Sequence, residues 1–226
     1  MSATKPFGYL LTAKVLVVGH DPRLQISMAE AEYAFFFEYL GKYDERPTYG
    51  PHAEKYGLAK AVWEYINELA SQQLPLDAFY VTNLCNEFLP SSPGSSTVLI
   101  PDNLAQQGAE SICKIVDQGN FSVIVPMSMQ TFYHLCRLGF LDEVDERIET
   151  YVKTAQPKPV KAEQGSYVAK GKAPFLRVCG QRFHHQGIPV VPILHVKMWP
   201  IKPRFIRYTE PMQKARKEIS AILRSS

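Results

Sequence analysis

The chain has few cysteines, and none of them stands close to another. Its 226 residues include four, and no Cys-x-x-Cys pair occurs. Because a zinc ribbon or an iron–sulfur cluster needs closely spaced thiolates, this spacing argues against both. We expect buried free thiols, no bound metal and no cofactor. One metal site stays possible, in which Cys179, His184, His185 and His195 converge, although their spacing matches no common metal site.

Long apolar runs are also missing. No stretch approaches the roughly 20 residues of a membrane-spanning helix, and the first residues lack the charged and then apolar pattern of a secretory signal. The composition, 46% hydrophobic and 21% charged, is that of an ordinary globular protein. We therefore expect a single cytoplasmic domain over residues 1–226, monomeric and without membrane contact.

Three common α/β motifs do not occur. Gly19 stands alone where a dinucleotide-binding fingerprint needs three glycines, and no Gly-x4-Gly-Lys-Ser/Thr phosphate loop is present. Ser128 lies in Pro-Met-Ser-Met-Gln rather than in Gly-x-Ser-x-Gly, which argues against a serine hydrolase elbow. The usual nucleotide-binding and esterase functions are thereby disfavoured.

The net charge of +3 is small, but the basic residues are unevenly placed. Between 153 and 172 there are five lysines and one acidic residue, and between 197 and 207 there are four basic residues and no acidic one. Such segments are either solvated loop faces or contacts for a polyanion. They make nucleic acid a candidate partner.

Apolar periodicity predicts alternating strands and helices. Predicted strands cover 15–18, 79–81, 121–125, 175–179 and 190–194. Predicted helices cover about 26–40, 58–69, 102–116, 129–138 and 212–222, the third with Asp102 as its N-cap. Residues 154–174, rich in Lys, Pro and Gly, are predicted to be a loop or hairpin insertion. The alternation predicts a three-layer α/β domain with a mainly parallel sheet.

Polar residues follow three of the predicted strands. Asp21 comes just after the strand 15–18, between Gly19 and Pro22, while Asn83 and His195 follow later strands. Ligands bind at the carboxyl ends of such strands. Each residue also has a structural interpretation: Asp21 as a helix cap or turn residue, Asn83 as a turn residue and His195 as a core residue. Asn86 is an alternative to Asn83.

Together these three side chains suit cleavage of an N-glycosidic bond. The transition state is cationic at the sugar and anionic at the leaving base, so groups of opposite character are needed a few ångströms apart. A carboxylate stabilises the cation or orients water, an imidazole donates to the base oxygen, and an amide recognises the base edge.

In these strand-end residues the sequence resembles the uracil-DNA glycosylase superfamily. Gly19-His20-Asp21-Pro22 resembles its first motif, Tyr80-Val81-Thr82-Asn83 resembles its middle strand motif, and Ile193-Leu194-His195 lies where its late motif begins. The resemblance runs from about Lys14 to Lys202. It implies a central, mainly parallel four-stranded sheet flanked by helices.

The resemblance also implies roles. Asp21 and His195 would be catalytic, and Asn83 and His20 would bind the base together with a stacking aromatic residue, Phe35 or Phe36, although core packing is the simpler interpretation of both phenylalanines. The DNA-binding set would be Arg23, Lys197, Met198, Trp199, Lys202 and Arg204, with Met198 or Trp199 as the wedge that replaces a flipped base.

Two positions depart from the family pattern. Arg23 stands where an aromatic residue or glycine is usual, and His195-Val196-Lys197 replaces His-Pro-Ser. The expected activity is hydrolysis of uracil or another deaminated base from DNA. Two alternatives remain: a non-catalytic nucleic-acid-binding protein on the same fold, and a hydrolase of free nucleosides or nucleotides.

Overall fold

The computed structural model describes residues 3–20, 32–43, 51–87, 99–156, 172–196 and 209–225. Within these ranges the strands are β1 (Val15–Gly19), β2 (Phe79–Asn83), β3 (Val123–Pro126), β4 (Phe183–His185) and β5 (Ile188–Val190). They form one sheet of five strands in the spatial order β2-β1-β3-β5-β4. Neighbouring strands are parallel except β4, which pairs antiparallel with β5.

Seven α-helices lie in the same ranges. They are α1 (Glu38–Lys42), α2 (Pro51–Ala70), α3 (Asp102–Gln118), α4 (Met129–Arg137), α5 (Glu146–Thr154), α6 (Lys172–Val178) and α7 (Thr209–Arg224). None of the helices in the described part of the chain is both long and apolar enough to cross a membrane.

β1 is the centre of the core. All five of its residues are buried, and it pairs along its length with β2 on one side and β3 on the other. A strand covered on both faces is apolar at every position, which explains the absence of alternation over 15–18. This strand prediction is confirmed.

The connections between strands divide the helices between the two faces. The step from β1 to β2 runs one way across the sheet, and the steps from β2 to β3 and from β3 to β5 run the other way. Because parallel crossovers are right-handed, opposite directions place helices on opposite faces. α2 packs against α7, and α3 packs against α4. The three-layer α/β prediction is confirmed, with five strands in the described sheet where four were expected.

The helix expected over 26–40 is wrong over residues 32–37, whereas residues 38–40 do lie in a helix, α1. Tyr33 is extended, a 3-10 turn covers Ala34–Phe36, and Phe35 and Phe36 have positive φ angles of 55° and 58°. The backbone of Lys5 pairs with this segment, its N–H donating to Glu32 and its carbonyl accepting from Ala34. Tertiary pairing therefore overrides the helical spacing, and residues 26–31 lie outside the described ranges.

The strand expected at 175–179 is a helix, α6. Its buried residues Phe175 and Val178 follow helical spacing, and a short apolar run does not distinguish helix from strand. The strand beside β5 is β4 instead. A two-residue turn joins them, with Gln186 at φ 51° and Gly187 at φ 75°, the left-handed pair that a tight hairpin requires.

Two smaller predictions concern loop boundaries. Asp102 is the first residue of α3 rather than its N-cap, and no side chain caps that helix. Its carboxylate pairs instead with Arg137 at 2.6 Å. The predicted insertion at 154–174 falls mostly on residues 157–171, which lie outside the described part of the chain.

The cysteines are free thiols. Cys85, Cys136 and Cys179 are buried and Cys113 is half-buried, and burial raises the pKa of Cys179 to about 12. Burial also raises the pKa of Cys113 and Cys136, so these three thiols stay protonated at neutral pH and are poor nucleophiles. In the described residues no three histidine, cysteine or acidic side chains are grouped to hold a metal ion.

Candidate functional site

The carboxyl end of β1 is covered by two side chains from other elements. A Cβ atom built on Gly19 would lie less than 3.0 Å from Oδ1 of Asn83 and from the ring of Phe35. The carboxamide and the aromatic ring therefore both rest on the backbone of Gly19, and any larger residue there would displace them. The structure thus brings together two of the predicted site residues at the predicted strand end.

Phe35 reaches this place through a strained turn. Its φ of 55° and ψ of 17° are uncommon for a residue with a large side chain, and such strain persists only where the surroundings hold it. The bridge between Lys5 and Tyr33 provides that hold on one side. The ring is half-buried and packs against the main hydrophobic core with part of its surface exposed.

Phe36 points to a different environment. It is buried with Tyr39 and Tyr56 in a cluster separate from the main core, and the ammonium of Lys55 lies 5.7 Å from its ring centroid. Of the two phenylalanines that the sequence offered, only Phe35 contacts Gly19. The left-handed turn, which helical periodicity could not reveal, separates them.

Asn83 ends β2 and is 3% exposed. Its Nδ2 atom donates to Oγ1 of Thr4 over 3.5 Å, the long limit of a hydrogen bond. Asn86, the alternative candidate, is tied to the scaffold: its Oδ1 accepts from Thr4 at 3.1 Å, and its Nδ2 donates to Thr82 at 3.4 Å. Asn83 is therefore the amide placed at the strand end, and Asn86 helps to hold the N-terminal segment beside it.

His20 follows β1 directly and is half-buried. Its carbonyl accepts from the backbone N–H of Cys85 at 3.0 Å, and that of Gly19 accepts from Leu84 at 2.9 Å. These bonds continue the β1–β2 ladder past its last residues. His20 is consequently held beside Asn83 on the same edge of the sheet.

His134 is a buried histidine that sequence reasoning missed. It is 4% exposed, and desolvation, helped by the positive charges of Arg137 and His20, lowers its pKa to about 4. It lines a cavity of about 300 Å³ next to Asp102 and Tyr133. His134 is therefore neutral at pH 7 and adds no charge to this side of the sheet.

The end of β3 supports β1 from the other side. Oγ of Ser128 accepts from the backbone N–H of Thr131 and caps α4, and the Thr131 hydroxyl donates to the carbonyl of Gly19 at 3.1 Å. The sequence carries this signal as Ser-x-x-Thr at a helix start. Because β1 and β3 are followed by crossovers in opposite directions, the site lies at a topological switch point, where ligands bind in α/β sheets.

His195 lies two strands away from β1. Ile193 bridges to Met127 beyond the end of β3, and the carbonyl of Leu194 accepts from the hydroxyl of buried Tyr65 at 3.0 Å. His195 comes next and is half-buried. It therefore follows the strand that is second from β1 in the sheet, on the same side of β1 as β3.

The remaining predicted residues lie outside the described ranges. Asp21 directly follows His20 in the sequence and Arg23 comes two residues later, whereas the other five follow His195. The full set is Asp21, Arg23, Lys197, Met198, Trp199, Lys202 and Arg204.

The described groups define one kind of site. An aromatic ring and a carboxamide rest on a glycine backbone, and imidazoles follow β1 and the region after β5. In chemical terms, an aromatic ring offers a face for stacking, and a carboxamide offers both a donor and an acceptor. Compared with known proteins, the chain matches no family model and no curated protein.

Proposed function

We propose that this protein is a DNA glycosylase that removes uracil or another deaminated base after the base is flipped out of the DNA. The observation that carries the proposal is the contact of Phe35 and Asn83 with Gly19. A ring supplies a stacking face for a flipped base, an amide supplies a paired donor and acceptor for its edge, and glycine permits close approach.

The reaction assigns a role to each end of the site. A water oxygen forms a bond to the sugar carbon C1′, the C–N bond breaks, and the base leaves with the electron pair. Asp21, immediately after His20, would accept the water proton and stabilise the sugar cation. His195 would donate to the anionic base oxygen. No cofactor is needed for this balance.

A uracil-DNA-glycosylase-like fold forms part of the same proposal. Its support is the order of the parts: the sequence Gly-His-Asp-Pro begins at the last residue of the first strand, the Thr-Asn pair ends the second, and His195 follows the last parallel strand. The antiparallel strand β4 lies at the sheet edge, beyond β5, so it leaves this order of site-bearing strands intact.

The test is base release from labelled single- and double-stranded oligonucleotides that carry uracil or hypoxanthine, followed by alkali cleavage. His195→Ala should lower the rate roughly 100-fold or more, since one donor to a developing oxyanion contributes about 2.7–4 kcal/mol. Asp21→Asn should lower it by roughly 100-fold or more as well, because an amide neither accepts the water proton nor carries the negative charge that stabilises the sugar cation. Circular dichroism spectra and melting curves of the variants would show that the fold is retained.

Phe35→Leu and Phe36→Leu form a matched pair. The two positions are adjacent and share a left-handed backbone, but only Phe35 contacts Gly19. Phe35→Leu should weaken base release about five-fold to a hundred-fold, the worth of one stacked base, while Phe36→Leu should lower stability more than activity. Equal effects on base release would contradict the assignment.

Two outcomes would replace the proposal. Binding of DNA without release of any base would leave a non-catalytic binding protein. Release of uracil from free deoxyuridine, with none from DNA, would indicate a nucleoside hydrolase.

A further inference from the structure

A second group of aromatic and basic side chains begins one residue from Phe35. It comes from the 3-10 turn, α1 and the first two turns of α2, and we call it the Tyr39 cluster. Its members are Phe36, Tyr39, Lys42, Tyr43, His52 and Lys55. The proposed base site does not use any of them.

The rings in the Tyr39 cluster are stacked. The ring of Tyr39 lies 5.6 Å from that of Tyr43 at an interplanar angle of 26°, and 5.8 Å from that of His52 at 29°. The Tyr39 hydroxyl is also 3.1 Å from Nδ1 of His52. Tyr39 forms the buried floor, whereas Tyr43 is half-buried and His52 is exposed. The outer rings therefore reach the surface.

Lysines lie against the same rings. The ammonium of Lys55 is 5.7 Å from the ring centroid of Phe36 and 5.8 Å from that of Tyr39, and the ammonium of Lys42 is 5.6 Å from that of Tyr43. Lys55 is only 4% exposed. Among the described residues no acidic side chain forms a salt bridge with either lysine.

Two acidic residues stand close to these lysines in the described part of the chain, and neither forms a salt bridge with them. Burial raises the pKa of the Glu38 carboxyl, against an opposing effect from the backbone of the turn before α1. Glu54 directly precedes Lys55 on α2, so its side chain is about 100° around the helix from that of the lysine. A buried lysine without a described acidic partner, beside an exposed lysine and at the start of a 20-residue helix, is suited to a phosphate.

We propose that the Tyr39 cluster binds an unpaired nucleotide of single-stranded DNA, with a base stacked on Tyr43 and a phosphate beside Lys42 and Lys55. Stacked aromatic rings combined with basic groups are the usual means of binding single strands without sequence preference. In a duplex each base face is already covered by its neighbours, so the cluster favours single strands. This inference rests on the proposed function in naming single-stranded DNA as its substrate class.

The experiment measures binding of the full chain to uracil-free DNA, so that it does not depend on catalysis. Fluorescence anisotropy would follow a labelled oligothymidylate of roughly 15 nucleotides, within the range of single-strand site sizes, and the same strand annealed to its complement. Thymidine monophosphate as competitor would show whether a free nucleotide suffices.

Tyr43→Leu should weaken single-strand binding about five-fold to a hundred-fold, as expected for the loss of one stacked base. Lys42→Gln should reduce the slope of log affinity against log salt by about 0.7, the value for one neutralised phosphate. The matched controls are Tyr9→Leu, a tyrosine that is 76% exposed before β1, and Lys217→Gln on the exposed side of α7. Both should leave binding unchanged.

Equal affinity for duplex and single strand would overturn the inference, and so would equal effects of the cluster variants and their controls. Because Lys42 is exposed, its variant stays informative if Tyr43→Leu fails to fold. The two proposals fail separately. Single-strand binding that needs Tyr43 and Lys42, without release of any base, supports this inference and contradicts the glycosylase. Base release from DNA, with single-strand binding unchanged by both variants, supports the glycosylase and contradicts this inference.

Discussion

Polar or aromatic side chains gather both at the carboxyl end of β1 and at the β4–β5 hairpin. The two regions differ in whether those side chains hold the backbone. At the hairpin, the two carboxylate oxygens of Asp142 accept the backbone N–H groups of Gln186 at 2.6 Å and Gly187 at 2.9 Å. His185 Nδ1 contacts the carbonyl of Phe140. Each of these interactions holds the local backbone.

At the carboxyl end of β1 the backbone is held by other means. The ladder to β2 and the hydroxyl of Thr131 satisfy the carbonyl of Gly19, while Asn83 and Phe35 cover its Cα. These two side chains come from separate elements, and the carbonyl of Gly19 is satisfied without them. A polar side chain that hydrogen-bonds to the backbone of a turn stabilises the fold, whereas side chains that rest on a backbone already held by other bonds mark a candidate site.

The strongest way to break this comparison is to add a methyl group to Gly19 at the end of β1 and to Gly187 in the hairpin turn. In Gly19→Ala the new Cβ would clash with Asn83 and Phe35, whereas in Gly187→Ala nothing lies within 4 Å of it. Gly19→Ala should abolish base release and cost about 1–3 kcal/mol through overpacking. Gly187→Ala should cost about 1–2 kcal/mol from its positive φ alone and leave base release intact. Urea unfolding and the glycosylase assay measure both, and loss of activity in Gly187→Ala would contradict the distinction.

A smaller effect is expected from Asp142→Ala. Loss of the two bonds to the hairpin should cost about 1–2 kcal/mol at pH 7. Backbone hydrogen bonds from Gly187 and Gln186 lower the pKa of Asp142 from 3.8. A lowered carboxyl pKa contributes stability above the unfolded value, and this is lost as the pH falls through the folded value. The difference between variant and wild type should therefore shrink below about pH 3.8, as urea midpoints across pH would show. A stability difference between Asp142→Ala and wild type that does not change with pH would contradict this role of the carboxylate.

The smallest effect is expected at the buried histidine His134, and His185 of the hairpin serves as its comparison. Burial lowers the pKa of both His134, to about 4, and His185. Their neutral forms stabilise the fold above the unfolded pKa near 6.5, and this is lost as the pH falls through the folded pKa. The groups acting on His134 are Arg137, His20 and Asp102.

His134→Leu should reduce the loss of stability between pH 7 and pH 4 with little cost at pH 7, since Nδ1 of His134 has no hydrogen-bond partner among the described residues. His185→Leu should also reduce the acid sensitivity, but it should cost about 1–3 kcal/mol at pH 7 by leaving the carbonyl of Phe140 unsatisfied. Thermal melts of both variants at pH 7 and pH 4 would measure these changes in stability. Identical costs at pH 7 would show that the bond to Phe140 contributes nothing.

Much of the fold could be predicted from local patterns. The buried strand β1, the amphipathic helices α2, α3 and α7, and the strand ends at Gly19 and Asn83 depend on residues close together in the chain, and periodicity reports on those. Ser128 and Thr131 were within reach of the same reasoning, because their spacing is that of a helix cap.

The failures have a common physical cause. Residues 33–37 lose their helix because Lys5, far away in sequence, supplies backbone hydrogen bonds there. Residues 175–178 become helical because a short apolar run fits either a helix or a strand, and β4 occupies the position beside β5. In both cases the deciding interactions join distant segments, to which local periodicity is blind.

By itself the sequence determined the alternation of strands and helices, the buried centre of the sheet and the candidate residues at strand ends, because solvent exclusion acts on each segment through its own pattern of apolar residues. Only the tertiary structure decided that Phe35 and not Phe36 contacts Gly19, that Asn83 and not Asn86 lies at that contact, and that tyrosines and lysines gather beside it. Those choices depend on a left-handed turn and on packing between separate elements, which exist only once the chain has folded.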